Sequence, residues 1–328
     1  MTSTADVAPA PPVFPARSSI PPVHPDPEGF APWTRTPIRR RPVRVRVTGW
    51  TVHAASWRGL PYMLKSAPDL DLYAATSDEH GVVQHHLAGQ VYDQPVLQAR
   101  VATAMLNGFR LTADPRYLDR ARANTQRLLD TAVARRGALY LPYRYRHKIA
   151  REVMFPTWYS AMAQGLALSA LCRMHYVTGE PHWLAGAHRV FASFRNPPMR
   201  RSPWTVHTDA CGHLWLEEYP NPGGGRPMRV LNGHIFAAIG VHEYLWLLTG
   251  APEAAVVFDA AATTILDHGP EFRVPGSCSN YSLTQPVAKP DYHHTHVWQL
   301  ARLGSWTGDQ RFTDLSAQFA ADFDPSAR

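Results

Sequence analysis

Val177-Thr178-Gly179-Glu180-Pro181 separates two apolar, helix-like runs, 158–177 and 181–195. A glycine commonly ends a helix in a left-handed cap, and a proline is favoured at the first position of the next helix. The stretch therefore predicts a tight turn between two antiparallel helices. Similar turns recur along the chain, at Leu111-Thr112-Ala113-Asp114-Pro115, Leu248-Thr249-Gly250-Ala251-Pro252 and Trp306-Thr307-Gly308-Asp309-Gln310.

The recurring turns indicate a helical hairpin that is used about four times. Their threonines lie 66, 71 and 58 residues apart. Helical solenoid repeats are usually shorter, roughly 33–47 residues, and the extra length here lies in the connections between hairpins. We therefore predict a mainly α protein, an incomplete (α/α) toroid of about four helical hairpins, with its long loops at one end.

Two shorter regions precede the predicted toroid, which occupies 92–328. Residues 1–45 contain 11 of the 30 prolines, so we expect an extended, mobile arm there. Residues 46–91 are expected to form a short β-containing segment. The boundary stretch Pro42-Val43-Arg44-Val45-Arg46-Val47 alternates valine and arginine, which predicts a short strand with one basic face.

Composition limits the class of partner. The net charge of +7 favours an anionic partner, but the helices carry no basic stripe, so nucleic acid is not favoured. No apolar run reaches about 18 residues, so we expect no membrane span. The widely spaced Cys172, Cys211 and Cys278 form no disulfide framework, and the N-terminus lacks a signal-peptide core. We expect a cytoplasmic protein, with a homodimer as one possible assembly.

The long connections carry most of the polar chemistry, and geometry places them together at the end opposite the tight turns. They span roughly 135–157, 196–231 and 268–293. In the first, Tyr143 and Arg144 begin an alternation of aromatic and basic residues. This pattern fits a half-buried strand, and it also fits a wall for an acidic sugar whose carboxylate binds arginine.

The other two connections hold an acidic pair and a cluster of histidines. Glu217-Glu218-Tyr219-Pro220 fits surface polarity as well as a site, and Asn232-Gly233 fits a helix cap. Asp291-Tyr292-His293-His294-Thr295-His296 first suggests a metal site. If the stretch is extended, His294 and His296 share a face, but neither an HExxH motif nor a cysteine pair supports zinc.

Four strings of residues together resemble the C-terminal domain of the D-glucuronyl C5-epimerases of heparan sulfate biosynthesis. They keep the order and approximate spacing of that family between about 155 and 305. The strings are Trp158-Tyr159-Ser160-Ala161-Met162-Ala163-Gln164-Gly165, Glu217-Glu218-Tyr219-Pro220, Val230-Leu231-Asn232-Gly233 with Ile239-Gly240, and Asp291-Tyr292-His293-His294-Thr295-His296 with Gln299-Leu300.

The resemblance implies an (α/α) toroid and an epimerase that needs no cofactor and no metal. Carried over by motif position, its catalytic groups are Glu218, Tyr219 and Tyr292, with Tyr281 as a less secure fourth. Inversion of C5 in a uronic acid needs one group to remove the proton next to the carboxylate and another to return a proton to the opposite face. Glu218 can act as the base if burial raises its pKa, and a phenol can act as the acid.

The expected substrate is an acidic sugar or another molecule with a carboxylate. Its negative charge needs neutralising where it develops during the reaction. Residues that we expect to bind substrate are Arg144, Tyr143, Tyr159, Gln164, Asn232, Lys289, His293 and His296.

One departure from the family leaves the substrate open. Tyr281 is followed by Ser282-Leu283-Thr284-Gln285, whereas the animal enzymes have Asp-Leu-Arg-His, so the arginine that would bind an acidic sugar is missing. The alternatives are a polysaccharide lyase on the same fold, a tailoring enzyme of specialised metabolism, and a non-catalytic glycan- or peptide-binding relative.

Overall fold

The computed structural model describes residues 44–54, 61, 65–149, 151–199, 202–220, 227–249 and 251–323. The predicted Pro-rich arm lies almost entirely outside these ranges. Eight α-helices follow one another within them as consecutive antiparallel pairs: α1 (Pro95–Thr112) with α2 (Pro115–Thr131), α3 (Ala161–Thr178) with α4 (Pro181–Phe191), α5 (Leu231–Tyr244) with α6 (Pro252–His268), and α7 (Pro290–Thr307) with α8 (Gln310–Asp322). The four predicted hairpins are confirmed.

The tight turns after α1, α3 and α7 share one hydrogen-bonding arrangement, which explains the threonine that ends each of these helices. At α3, the Thr178 hydroxyl donates to the Met174 carbonyl at 2.8 Å and accepts from the Glu180 amide at 3.2 Å. Gly179 then adopts the left-handed conformation, with φ of 70°. The threonines that end α1 and α7 make the equivalent pair of bonds. Sequence inspection detected the turn but not this role of the hydroxyl.

In each hairpin the first helix lies on the inner side of the toroid and the second helix lies on the outer side. Helices α1, α3, α5 and α7 contact one another in series, and α3 and α5 are buried on nearly every side. The closest approach between α3 and α5 is at Gly165 and Gly240, where an added Cβ would come within 3.0 Å of the facing backbone. Glycine is therefore needed at both positions for these two helices to pack. After Tyr244, the α5 helix continues as a π-helical turn, Leu245–Thr249.

Short antiparallel β-hairpins occupy the connections at the other end of the helices. Their strands are β1 (His85–Leu87) with β2 (Gln90–Tyr92), β3 (Val133–Arg135) with β4 (Ala138–Tyr140), β5 (His147–Ile149) with β6 (Glu152–Met154), and β7 (Val206–Thr208) with β8 (Leu214–Leu216). The hairpin of β1 and β2 confirms that the region before the helices contains β structure. The later three project from the same end of the helical body as the acidic pair and the histidine stretch.

The N-terminal segment 44–54 differs from its prediction. None of its residues is in a strand, although Val45 is buried and Arg44 is exposed, as the alternation implied. The segment is held instead by single contacts, such as the bond from the Arg46 amide to the Gly212 carbonyl at 2.8 Å. The buried Asp259 on α6 accepts three successive backbone amides from 48–50 at 2.7–2.9 Å. Among the described helices, none combines the length and the apolar character that crossing a bilayer requires.

Candidate active site

Glu217 and Glu218 follow strand β8 and point in opposite directions, as successive residues of an extended chain do. The Glu217 carboxylate accepts from the Arg229 amide at 3.0 Å and lies 3.3 Å from His207. Its carbonyl accepts from the Ala161 amide at 2.8 Å, at the start of α3. Glu217 therefore fixes the surrounding backbone. Glu218 points to the other side, into a group of tyrosines.

The Glu218 carboxyl is buried, and its hydrogen bonds and the nearby positive charge offset only part of the cost of burying its negative charge. It is 7% exposed, and burial raises its pKa to about 7, against the lowering effects of hydrogen bonds from Tyr219 and Tyr281 and of the Lys289 charge. Oxygen Oε2 has no hydrogen-bond partner among the described residues. A carboxyl with this pKa exists in both protonation states near neutral pH, as general acid–base catalysis requires.

Gly233, at the start of α5, makes room for this carboxylate. A Cβ added at Gly233 would overlap the Oε2, Cβ and Cδ atoms of Glu218. The neighbouring Asn232 is fully buried, and its side-chain oxygen and nitrogen have no hydrogen-bond partner in the described part of the chain. The Asn-Gly pair therefore borders the Glu218 site, with the glycine providing space rather than a turn.

Tyr281 is the residue most tightly fixed beside Glu218. Its carbonyl accepts from the Leu231 amide at 3.1 Å, and its amide donates to the Val287 carbonyl at 2.9 Å. The phenol is 1% exposed and donates to Glu218 Oε1 at 3.1 Å. Burial first, and then the nearby Glu218 charge, raise the pKa of Tyr281 well above its usual value.

Tyr292 and Lys289 enter the site from the start of α7. This helix begins at Pro290, so the interpretation of Asp291–His296 as an extended segment was wrong. Lys289 Nζ lies 4.1 Å from the centre of the Tyr281 ring and 5.2 Å from that of Tyr292. The two rings meet edge to face at 5.1 Å. Burial raises the pKa of Tyr292 and lowers that of Lys289.

His293 and His296 lie on the inner face of α7, but both rings contact Ser279. The Ser279 hydroxyl lies 2.9 Å from His293 Nδ1 and 2.7 Å from His296 Nδ1. His293 Nε2 bonds to the Phe319 carbonyl of α8 at 2.8 Å. The role of the two histidines in binding substrate stays a prediction, which these contacts do not test. The contacts fix the loop that carries Tyr281 relative to the helix that carries Tyr292.

Tyr219 lies against an aromatic wall that also contains Trp158, Tyr143 and His147. Tyr143 stacks on Trp158 at 3.9 Å, and His147 lies 5.8 Å from Trp158 and 5.7 Å from Tyr219. Burial raises the pKa of both Tyr143 and Tyr219 well above the usual range, and the Glu218 charge adds to this effect. Tyr143 therefore lies near Glu218, where it was expected.

Arg144 and Tyr159 lie on the opposite face of the same two segments. Tyr143 pairs with Trp158 in an antiparallel bridge, so the residues that follow each of them point the other way. Arg144 is exposed and lowers the pKa of Tyr159, which burial raises. The structure thus does not bring this pair to the Glu218 cluster, and their role in binding substrate stays a prediction.

Gln164 is also placed away from the cluster. Its amide nitrogen donates to the Leu139 carbonyl at 2.7 Å and to Ser193 at 2.9 Å, and its oxygen accepts from the Leu141 amide at 2.9 Å. These bonds attach strand β4 to α3. The fully buried side chain therefore stabilises the fold, and its contact with substrate stays a prediction.

Two basic groups beside the tyrosines were not predicted. His147 stacks in the aromatic wall, and burial and the Lys289 charge lower its pKa. Arg100 on α1 lies close enough to Tyr292 to lower the pKa of that phenol. The sequence did indicate the inward position of His147, because this residue continues the alternation that places Tyr143 and Tyr145 inward. Nothing in the sequence singled out Arg100, which comes from a different hairpin.

Comparison with known proteins identifies the family of the chain. Residues 134–321, more than half of the chain, match the family described as D-glucuronyl C5-epimerase C-terminus. The chain belongs to this family. A D-glucuronyl C5-epimerase from Caenorhabditis elegans is 28% identical over 183 residues, which cover 50% of this chain and 29% of that protein. The chain thus matches less than a third of the length of this curated relative.

Solved structures of epimerases share the fold. The cellobiose 2-epimerase from Spirochaeta thermophila superposes with a TM-score of 0.52 at 14% identity, covering 79% of this chain and 66% of that one. A sugar epimerase from a ruminal bacterium gives 0.51 at 15% identity, covering 79% and 67%. The predicted (α/α) toroid is therefore confirmed, and at these identities the likeness concerns the fold alone.

Proposed function

We propose that this protein is a cofactor-independent epimerase that inverts the carbon next to the carboxylate of a uronic acid. The observation that carries the proposal is the buried Glu218, with a pKa of about 7, hydrogen-bonded to Tyr281. Family membership supports the reaction class. The cluster of Glu218, Tyr219, Tyr281 and Tyr292 combines one group suited to accept a proton with three that can donate one.

Glu218 is the base in this proposal because the tyrosines favour their neutral forms. Burial raises the pKa of each phenol, so a tyrosinate is unfavourable before substrate binds. A carboxyl with a pKa of about 7 is partly ionised at neutral pH and is a stronger base than an ordinary glutamate. Raised pKa values thus separate the groups into one base and several acids.

The reaction balances with these groups alone. The bond from C5 to hydrogen breaks, the proton moves to Glu218, and the electron pair spreads into the substrate carboxylate. A phenol then donates its proton to the opposite face of C5 and becomes a phenolate. Tyr292 is our choice for this acid because it lies across Tyr281 from Glu218. Tyr281, bonded to Glu218, offers the route by which the proton returns.

Lys289 is the cation that we assign to the substrate carboxylate. Its ammonium lies beside the rings of Tyr281 and Tyr292, where negative charge grows during proton abstraction. Arg100 is near enough to influence Tyr292 and can assist. These two groups take the place of Arg144, which lies on the other face, and of the arginine that is missing after Tyr281. Asn232 is retained as a polar group at the border of the site.

Hydrogen exchange at C5 tests the proposal directly. The protein is incubated in deuterium oxide with heparosan oligosaccharides and, separately, with a simple aryl glucuronide, and deuterium at C5 is measured by NMR. We expect exchange and inversion by the wild type, a fall of roughly 10²–10⁴-fold in C5 exchange in E218Q, and a similar fall in formation of the inverted C5 epimer in Y292F, the range that removal of a general acid or base usually gives. Y176F, on α3 away from the cluster, is the matched control and is expected to exchange at the wild-type rate.

Two results would contradict the proposal. Wild-type exchange in E218Q, or wild-type inversion in Y292F, would remove that residue from proton transfer, and absence of exchange by folded wild type on every uronic acid tested would remove the activity. An unsaturated product that absorbs in the near ultraviolet would show elimination, and thus a lyase that uses the same proton abstraction.

A further inference from the structure

A cluster of metal-binding side chains lies away from the tyrosines, between the turn of the β7–β8 hairpin and the end of α6. We propose that Asp209, His213 and His268 bind a divalent transition-metal ion, for which zinc is the fitting choice. One ligand atom from each of the three lies within 4.8 Å of the others. The proposal is independent of the epimerase activity.

The spacing of the donor atoms suits a tetrahedral ion. His213 Nδ1 and His268 Nε2 lie 3.3 Å apart, and His213 Nδ1 lies 3.5 Å from Asp209 Oδ1. Ligands at roughly 2.0–2.2 Å from tetrahedral zinc are about 3.3–3.6 Å from one another. The three atoms can therefore reach one ion with little rearrangement.

The outer nitrogens of both imidazoles are held by carboxylates, which determines what the inner nitrogens present. His213 Nε2 lies 2.9 Å from Asp267, and His268 Nδ1 lies 2.6 Å from Glu271. A ring nitrogen that donates to a carboxylate carries the proton, so the other nitrogen of a neutral ring has a lone pair. With both rings neutral, two lone pairs and a carboxylate oxygen then face one another, an arrangement that a bound cation would stabilise. Carboxylate–histidine–metal chains of this kind are typical of protein zinc sites.

The charge around the cluster also favours a cation. The carboxylates of Asp209, Asp267 and Glu271 meet two guanidinium groups: Arg46 Nε lies 3.3 Å from Asp267, and Arg229 Nη2 lies 3.6 Å from Asp209. Three negative charges and two positive charges leave one negative charge when the histidines are neutral. A bound divalent ion would reverse this balance to one positive charge.

Asp209 is already oriented by its surroundings. Its Oδ1 accepts from the amides of Cys211 and His213 at 3.0 and 3.1 Å, and its Oδ2 accepts from the Trp215 indole at 3.0 Å. The exposed Cys211 belongs to the same turn but is not among the three residues whose ligand atoms lie together, so a water molecule is the simplest fourth ligand and Cys211 would need to move to bind. Imidazole with carboxylate or thiolate selects zinc-like ions over magnesium and calcium, which prefer oxygen ligands.

The ion would fasten the β7–β8 hairpin to α6. Strand β8 runs from this turn to Leu216, directly before Glu217 and Glu218, so the ion would fix the end of β8 that is remote from the active site. This role is structural, because the three ligands lie at the far end of the hairpin, in its turn and at the end of the facing helix.

Zinc titration of the dialysed full-length chain against a chromophoric chelator tests the site. We expect one tightly bound zinc per wild-type chain and a loss of at least a hundredfold in affinity in H213A and H268A. E271Q leaves every ligand in place and should weaken binding about 10–100-fold, as outer-shell changes do. H80A removes an exposed histidine elsewhere and should bind as the wild type does.

Cobalt(II) in place of zinc reports the geometry. Tetrahedral cobalt gives strong visible bands, and a sulfur charge-transfer band that disappears in C211S would place Cys211 in the coordination sphere. Circular dichroism checks that each variant is folded, and E271Q decides the matter if H213A and H268A unfold. The proposal is wrong if the wild type binds no zinc, or if H268A or, failing that, E271Q binds zinc as tightly as the wild type.

Discussion

Two buried glutamates, Glu243 in the helical body and Glu218 in the loop cluster, have different hydrogen-bond partners. Glu243 on α5 is fully buried and forms a two-pronged ion pair with Arg173 on α3, at 2.7 and 2.8 Å. Arg173 also donates to the Pro61 carbonyl at 2.8 Å. Glu218 is nearly as buried, yet its direct partner is a phenol and its nearest cation lies over the aromatic rings.

The difference separates a carboxylate that holds the fold from one that is ready to change its charge. The bidentate pair with the Arg173 guanidinium fixes the Glu243 carboxylate, and removal of either partner would leave the other charge unpaired in an apolar interior. Without such a pair, burial raises the pKa of Glu218 to about 7. The same residue type therefore forms an ion pair in one region and has a pKa near neutral in the other, and the presence of a directly paired cation is the difference.

Removal of Arg173 is expected to give the largest effect on stability. R173M leaves the Glu243 charge buried without its partner, so we expect a loss of about 3–5 kcal/mol in the free energy of unfolding, measured by urea denaturation.

The double variant R173M/E243M sharpens the interpretation. It removes both charges, and we expect it to recover most of that loss, apart from the cost of the unpaired Pro61 carbonyl. A double variant as unstable as R173M would mean that packing, rather than charge, dominates this contact.

The second prediction concerns the pH dependence of stability. The pKa of Glu218 is about 7 in the folded protein and near 4.5 in the unfolded chain. Between these values the unfolded state releases the proton first, so this group makes the protein less stable as pH rises from 4.5 to 7. Above pH 7 the cost is complete, on the order of 3 kcal/mol for a shift of this size.

E218Q removes the titration and provides the measurement. We expect E218Q to be more stable than the wild type at pH 8 and equally stable near pH 4, in thermal or urea unfolding at each pH. E243Q has no such advantage at pH 8, because it leaves Arg173 buried without its carboxylate. A difference between E218Q and the wild type that does not change with pH would contradict the raised pKa.

The smallest of these effects is expected in G233A, on the rate of C5 exchange. The added methyl group would overlap the Glu218 carboxylate, so we expect a fall of roughly 10–100-fold in C5 exchange, about 1.4–2.7 kcal/mol in the barrier. Stability should change little, because the preference of alanine for a helix, about 1 kcal/mol over glycine, offsets the cost of moving the Glu218 side chain. G165A should instead affect stability more than exchange. Its methyl group meets the α5 backbone in the helical body, which lowers the stability of the protein. Unchanged exchange in G233A would show that Glu218 can move without loss.

The sequence predicted the hairpins because their turns have a local chemistry that repeats. A proline at the first position of a helix is part of this chemistry, and Pro290 begins α7 as Pro181 begins α4. The polar residues after Pro290 suggested a loop instead. The four tyrosine and glutamate positions of the cluster came from the family resemblance. Their convergence through Tyr281 and Glu218 depends on contacts between residues 63 positions apart, which no local pattern contains.

Side-chain direction was the main quantity that the sequence left undetermined. Whether Tyr143 or Arg144 faces the cluster depends on the bridge from Tyr143 to Trp158, which comes from another part of the chain. His213 and His268 are 55 positions apart, so their proximity was also invisible. Buried histidines such as His293 look the same in sequence whether they bind substrate or fix a loop.

The tight turns offer a practical consequence of the hairpin architecture. A side chain added at Gly179 would meet no atom within 4 Å, and the turn lies at the end of the helices away from the tyrosine cluster. Exposed turns of this kind tolerate inserted sequence well. A peptide tag or fluorescent reporter placed there would label or immobilise the protein while leaving its chemistry accessible at the other end.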